Sequence, residues 1–109
     1  GLWKRKRGTN MNINGYETMT TFWNDFTIAD AFGVDAIKGT FNCASKDWKS
    51  NYKYLTELVL VLNWKLWQHY EQNDMALAEL YNDLWQQADA YACENLKGEE
   101  LKYFYEVTD

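Results

Sequence analysis

The strongest periodicity in the chain runs from Asn51 to Asn73, NYKYLTELVLVLNWKLWQHYEQN. At 100° per residue, Tyr52, Leu55, Leu58, Val59, Leu62, Leu66, His69 and Tyr70 fall on one stripe, the face a helix lays on a core. The far side is not polar: Leu60, Trp64 and Trp67 gather there among Lys53, Glu57, Gln68 and Glu71. A helix that is apolar on two sides is either central in its own domain or half covered by something else. Met75 to about Lys97 reads as the next helix, with Leu77, Leu80, Tyr81, Leu84, Ala88, Tyr91 and Ala92 inward and Glu79, Asp83, Gln86, Asp89 and Glu94 mostly outward. Gln72-Asn73-Asp74 supplies a stop and a new cap, so these two helices should pack antiparallel.

Upstream, Val34, Ile37, Phe41, Ala44 and Trp48 follow the 3,4 spacing of a third helix, in which Gly39 suggests the close approach of a neighbour. Before it, Phe22 and Phe26 share a face, and Thr27-Ile28-Ala29-Asp30 has the form of a capping box with a shorter acid, closed by Gly33. Gly98 ends the long C-terminal helix, and Glu99-Glu100 open a last one through Leu101, Phe104 and Val107. The expected fold is all-α: a small helical bundle of three long helices plus short terminal helices, with an irregular N-terminal arm. Residues 1–19 form that arm, in which Asn14-Gly15 marks a turn and MNI and YETM pair as a weak hairpin. Its GLWKRKRG start, with Gly1 in place of Met, reads as a tag or a flexible extension. Residues 20–109 form a single acidic helical domain.

Composition sharpens this picture. Six Trp, eight Tyr and five Phe are a heavy aromatic load for 109 residues, and the absence of Pro fits helices with short connections. The formal net charge is −5, but Lys4, Arg5, Lys6 and Arg7 are all in the arm; without them 7 basic residues face 16 acidic ones, a net of −9. So acidic a domain disfavours direct binding to nucleic acid or an anionic membrane and favours a basic partner. No run reaches the length of a membrane span, and the basic start is not followed by an apolar signal core, which points to the cytoplasm. Cys43, Cys93 and His69 have none of the usual metal-site spacings, so no metal or other cofactor is expected.

Candidate chemistry is sparse. His69 lies near the inner stripe, with Glu71, Asp74 or Asp83 close in sequence, yet no phosphate loop, nucleophile elbow or metalloprotease motif accompanies it, and the chain reads as a non-enzyme. IADAFGVDAI, Ile28 to Ile37, matches part of the DNA-reading helix-turn-helix: Ala29, Gly33 and Val34 fit, but the locking apolar position falls on Gly39. An alternative function is therefore a nucleic-acid-binding accessory protein using Lys4, Arg5, Lys6, Arg7 and Lys38. The favoured one is noncatalytic protein binding. Leu60, Trp64 and Trp67 would be its anchors and Glu57, Glu71, Glu79 and Asp83 its acidic rim, because Trp and Tyr are enriched at the centres of interfaces. Self-association as a homodimer through Leu60, Trp64 and Trp67 is the competing use of the same patch.

The segments TTFWNDFTIADAFGVDAIK, NYKYLTELVLVLNWKLWQHYE and ADAYACENLKGEELKYFYEVTD are similar to a group of uncharacterised short proteins encoded on bacterial phages, plasmids and conjugative elements. The likeness covers Thr20 to Asp109. It implies a mobile-element origin and assigns no residue a role. Small acidic proteins of such elements often resemble anti-CRISPRs, which occupy a basic effector surface; by that analogy the partner is a basic host protein such as a Cas effector.

Overall fold

The computed structural model describes residues 16–46 and 51–108, and these fold into five helices with short connections. They are α1 (Tyr16–Phe32), α2 (Val34–Ser45), α3 (Tyr52–Glu71), α4 (Met75–Asn95) and α5 (Glu99–Thr108). No strand occurs among the described residues.

Each boundary has a local cause. The Asn51 side chain accepts from the backbone N–H groups of Lys53 at 3.0 Å and Tyr54 at 3.2 Å, satisfying two donors that α3 cannot pair internally. Asn73 at φ 60° turns the chain out of α3, its N–H returning to the Tyr70 carbonyl and that of Asp74 to the His69 carbonyl. Asp74 then caps α4 by accepting from the Leu77 N–H. Gly33, at φ 108° and ψ −168°, allows a corner between α1 and α2 that a side chain would resist.

Two expectations about the N-terminal half change. Tyr16–Met19, read as part of a hairpin in the arm, form the first turn of α1, and Met19 is buried. Nor does a helix begin at Thr27: α1 is continuous for 17 residues, which makes it longer than the 12-residue α2. The side chains of the apparent capping box are engaged elsewhere, Thr27 and Asp30 both reaching Lys65 on α3. Trp48 and the basic run Lys4 to Arg7 lie outside the described residues.

At the centre stands α3. Every residue from Leu55 to Asn63 is buried, because α4, α5 and α1 pack around it. The second apolar surface of this helix is thus largely internal: Leu60 is 0 % exposed, and the expectation that it anchors a partner fails on that ground. Phe26 and Ile37, Leu55, Leu58 to Leu62, Tyr81, Ala88 and Phe104 join one continuous core from all five helices. On α4 the predicted stripe holds, with Tyr81, Leu84, Ala88 and Ala92 buried, as does the inward placement of Phe104 and Val107 on α5.

Gly39 does not mark a close approach, since a Cβ built there meets nothing within 4 Å. It lies inside α2, where glycine costs about 0.5–1 kcal/mol relative to alanine. Gly39→Ala should therefore stabilise the protein by about that amount, seen as a rise of a few degrees in Tm; a fall in Tm would show that α2 is packed more tightly than this.

Candidate functional site

On α1, Trp23, Thr27 and Asp30 recur at 4,3 spacing and so share a stripe, which faces Lys65 and His69, one turn apart on α3. The Lys65 side chain is 0 % exposed, and its ammonium donates to Thr27 Oγ1 at 2.6 Å, Asp30 Oδ2 at 3.0 Å and Gln68 Oε1 at 3.0 Å. An ammonium has three N–H donors, so none is left over. Its Nζ also lies 4.2 Å from the centroid of the Trp23 ring. Asp30 accepts at Oδ2 from Lys65 and from His69 Nε2, each at 3.0 Å, and at Oδ1 from the Tyr81 hydroxyl of α4 at 2.5 Å. The His69 imidazole stacks on Tyr81 with planes 9° apart, and its Nδ1 faces the Asp74 carboxylate at 3.7 Å. Burial pushes the Lys65 amine below its ordinary value, against the pull of Asp30; burial, and then Asp30, push the Tyr81 hydroxyl upward.

This constellation has the residue types of an acid/base centre, but its carboxylate and its ammonium are consumed by neighbouring side chains, while the buried His69 Nδ1 makes no hydrogen bond among the described residues. Both Asp30 oxygens and all three Lys65 donors are taken by side chains of this chain. Its plain chemical consequence is to fasten α1 to α3 and α4.

Just outside it, a concavity of about 430 Å³ opens between α1 and the C-terminal half of α3. Trp23, Trp64, Gln68, Glu71 and Gln72 line it. The last four recur at i, i+4, i+7 and i+8, which is why one helix presents them together. Trp23 and Trp64 rest partly on the core, so the walls are braced from within. Beside Trp64, Trp67 meets Tyr70 edge to face at 5.5 Å, and Tyr70 is 52 % exposed. Of the residues expected to bind a partner, Trp64, Trp67 and Glu71 are brought together here.

The others are not. Leu60 is in the core, and Glu57, only 2 % exposed, is not a rim residue. It lies in the seam between α3 and α5, where Tyr52 and Tyr103 stack edge to face at 5.4 Å beneath the Lys53 ammonium. Burial pushes the Glu57 carboxyl from 4.5 up to about 7, with Lys53 opposing, and its Oε2 has no hydrogen-bond partner. The Tyr103 hydroxyl is pushed up to about 12 by burial and then by Glu57. Glu79 is exposed on α4, and Asp83 lies in a separate groove between α2 and α4. Lys38 lines that same groove, so the one described candidate for phosphate contact has a carboxylate for company. Cys43 and Cys93 are free and exposed, on α2 and α4.

Sequence reasoning missed Trp23, Gln68 and Gln72 as walls of the concavity, and missed Asp30 as the partner of His69. The available signal was the Trp23–Thr27–Asp30 stripe: three side chains able to hydrogen-bond, aligned on one side of a helix beside its buried Phe22–Phe26–Ala29 face. It also missed the corner of α1 and α2, where Phe32 is 79 %, Ile28 61 % and Val34 44 % exposed.

Comparison of the chain with protein-family models, with curated proteins and with solved structures returns no match.

Two outcomes follow from the buried charges. Asp30→Ala leaves the Lys65 ammonium and the Tyr81 hydroxyl buried without their acceptor, so urea unfolding should show a loss of about 3–5 kcal/mol, much of it regained in Asp30→Ala/Lys65→Met. A loss under 1 kcal/mol would mean that the two groups reach water. For Glu57 the folded-state pKa lies above the unfolded one, so ionisation penalises the folded protein progressively from pH 4.5 to about 7. Glu57→Gln should therefore stabilise the protein by about 1–3 kcal/mol at pH 8, a gain that shrinks as the pH falls toward 4.5. A difference independent of pH would contradict the burial of that carboxyl.

Proposed function

We propose that the protein is a noncatalytic protein-binding factor whose contact surface is the Trp- and Tyr-bearing half of α3 together with Trp23. The observation that carries this reading is the concavity walled by Trp23 and Trp64, with Glu71 at its edge and the Trp67–Tyr70 pair beside it. Large rings braced from within and open on one side supply contact area at little cost in side-chain entropy, the property that makes Trp and Tyr the usual anchors of interfaces. The net charge of −5 favours a basic surface on the partner through complementarity and steering. A partner that normally holds nucleic acid has such a surface. Together with the resemblance to proteins of mobile elements, this makes inhibition of a nucleic-acid-handling host defence protein, in the manner of an anti-CRISPR, the physiological role proposed here.

Trp67 is the informative position, because it pairs edge to face with the exposed Tyr70 near the C-terminal end of α3. Affinity capture from a bacterial lysate, followed by reconstitution with the purified captured protein, should give binding that Trp67→Asp weakens by about 30-fold or more with the helical circular dichroism unchanged. Equal affinity of the two proteins, both folded, would remove this surface from the function.

A further inference from the structure

We propose that the corner between α1 and α2 is a self-association surface, on which a second copy of this chain docks by placing its Phe32 in the groove beside the corner and receiving the first copy's Phe32 in return. This face is remote in the sequence of α3 from the Trp-bearing end, and the proposal stands apart from the function given to that end. Among the described residues, Ile28, Phe32 and Val34 are left 61 %, 79 % and 44 % exposed at the close of one helix and the start of the next. Ile28 and Phe32 are four apart and so stand on one side of α1. The core does not use them, because the buried side of that helix is Phe22, Phe26 and Ala29. Large apolar side chains gathered at one place on a surface mark a contact.

The hole for such a knob lies at the same corner. A groove of about 570 Å³ opens between α1 and α2, with Phe22, Ala44 and Tyr54 toward the core and Ile28, Ala36 and Gly39 along its walls. A Cβ built on Gly39 meets nothing within 4 Å, so the wall is open where a ring would enter. A knob and a hole side by side on one molecule are self-complementary about a two-fold axis, and such a contact closes at a dimer. Charge selects a copy of the chain over a basic partner. From Thr21 to Lys46, Asp25 and Asp35 are matched by Lys38 and Lys46, and Asp30 is neutralised by Lys65 at 3.0 Å. On α4, by contrast, Glu79, Asp83, Asp89 and Glu94 occur without a Lys or Arg. A chain of net charge −5 repels its own copy least where the signs balance, and a basic partner gains least there. With Phe32 79 % exposed, two such rings and the groove walls they cover remove roughly 500–800 Å² from water. Ile28 and the flanking residues bring the contact toward the roughly 1,200 Å² at which specific interfaces begin, so the expected product is a weak dimer, half formed at about 10–100 µM.

The test is sedimentation velocity of the full chain from about 2 to about 500 µM, with a reducing agent so that the exposed Cys43 forms no disulfide. The mass should rise from 12.9 kDa toward twice that value. The dimer should tighten as salt is raised from about 0.1 to about 0.5 M, because screening weakens the repulsion of two acidic chains and spares the apolar contact. Phe32→Ser removes the knob, and Gly39→Gln fills the groove where there is room for a side chain. Each should weaken the dimer about tenfold or more, with Tm lowered by no more than a few degrees. A species of 12.9 kDa at every concentration would overturn the proposal. So would a dimer that either variant leaves at full strength, or one lost in Trp67→Asp instead, since the contact would then be on α3. A monomer held on phosphatidylcholine vesicles through Phe32 would assign the corner to a lipid surface and overturn it too.

Discussion

The carboxylate of Asp30 is the point at which three helices are fastened together. It lies on α1, accepts from Lys65 and His69 on α3, and accepts from Tyr81 on α4. A charge withdrawn from water this far is costly unless every partner is in place, and here every Lys65 donor and both Asp30 oxygens are matched. Such a network adds little net stability compared with apolar packing of the same volume. What it supplies is register: α1 can lie on α3 in only one way that brings Thr27 and Asp30 to Lys65. That register places Trp23 over the ammonium and beside Trp64, so the concavity is a consequence of the buried charges beneath it.

The helices that depend on simple periodicity were legible in the sequence. In α4 the pattern finds the start, the end to within two residues and most of the buried face, though Asp89, read as outward, is half-buried. The ends of α3 were legible for the same kind of reason: Asn51 and Asp74 cap, and Asn73 tolerates the left-handed turn. The course of α1 was not. Thr27-Ile28-Ala29-Asp30 is locally indistinguishable from a helix start, and it is the distant Lys65 that engages Thr27 and Asp30 as acceptors while the helix runs through. Gly39 misled in the opposite direction: a glycine inside a helix suggests a tight neighbour, and here there is open space.

The same distinction governs the site. Trp64, Trp67 and Glu71 were identifiable because they share one face of one helix, whereas Trp23 comes from another helix and no spacing rule connects the two. Leu60 and Glu57 were placed outside because the sequence shows that α3 is apolar on two sides without showing that α5 and α1 cover the second. The lone histidine was read correctly as a packed side chain. Its partner was missed because Asp30 lies 39 positions upstream. Among the described residues, the exposed aromatic of α3 lies at its C-terminal end, where Tyr70 is 52 % exposed beside Trp67.

The most direct test of this account is an NMR measurement on the Lys65 side chain, since the buried ammonium ties the core to the site. The account predicts that the Lys65 ε-methylene protons are shifted upfield by the Trp23 ring and that its ammonium protons exchange slowly with water, both effects disappearing in Trp23→Leu and in Asp30→Asn respectively. Lysine signals that all show the shifts and rapid exchange of solvated side chains would contradict it, because Trp23 would then have no ammonium beneath it to hold it against Trp64.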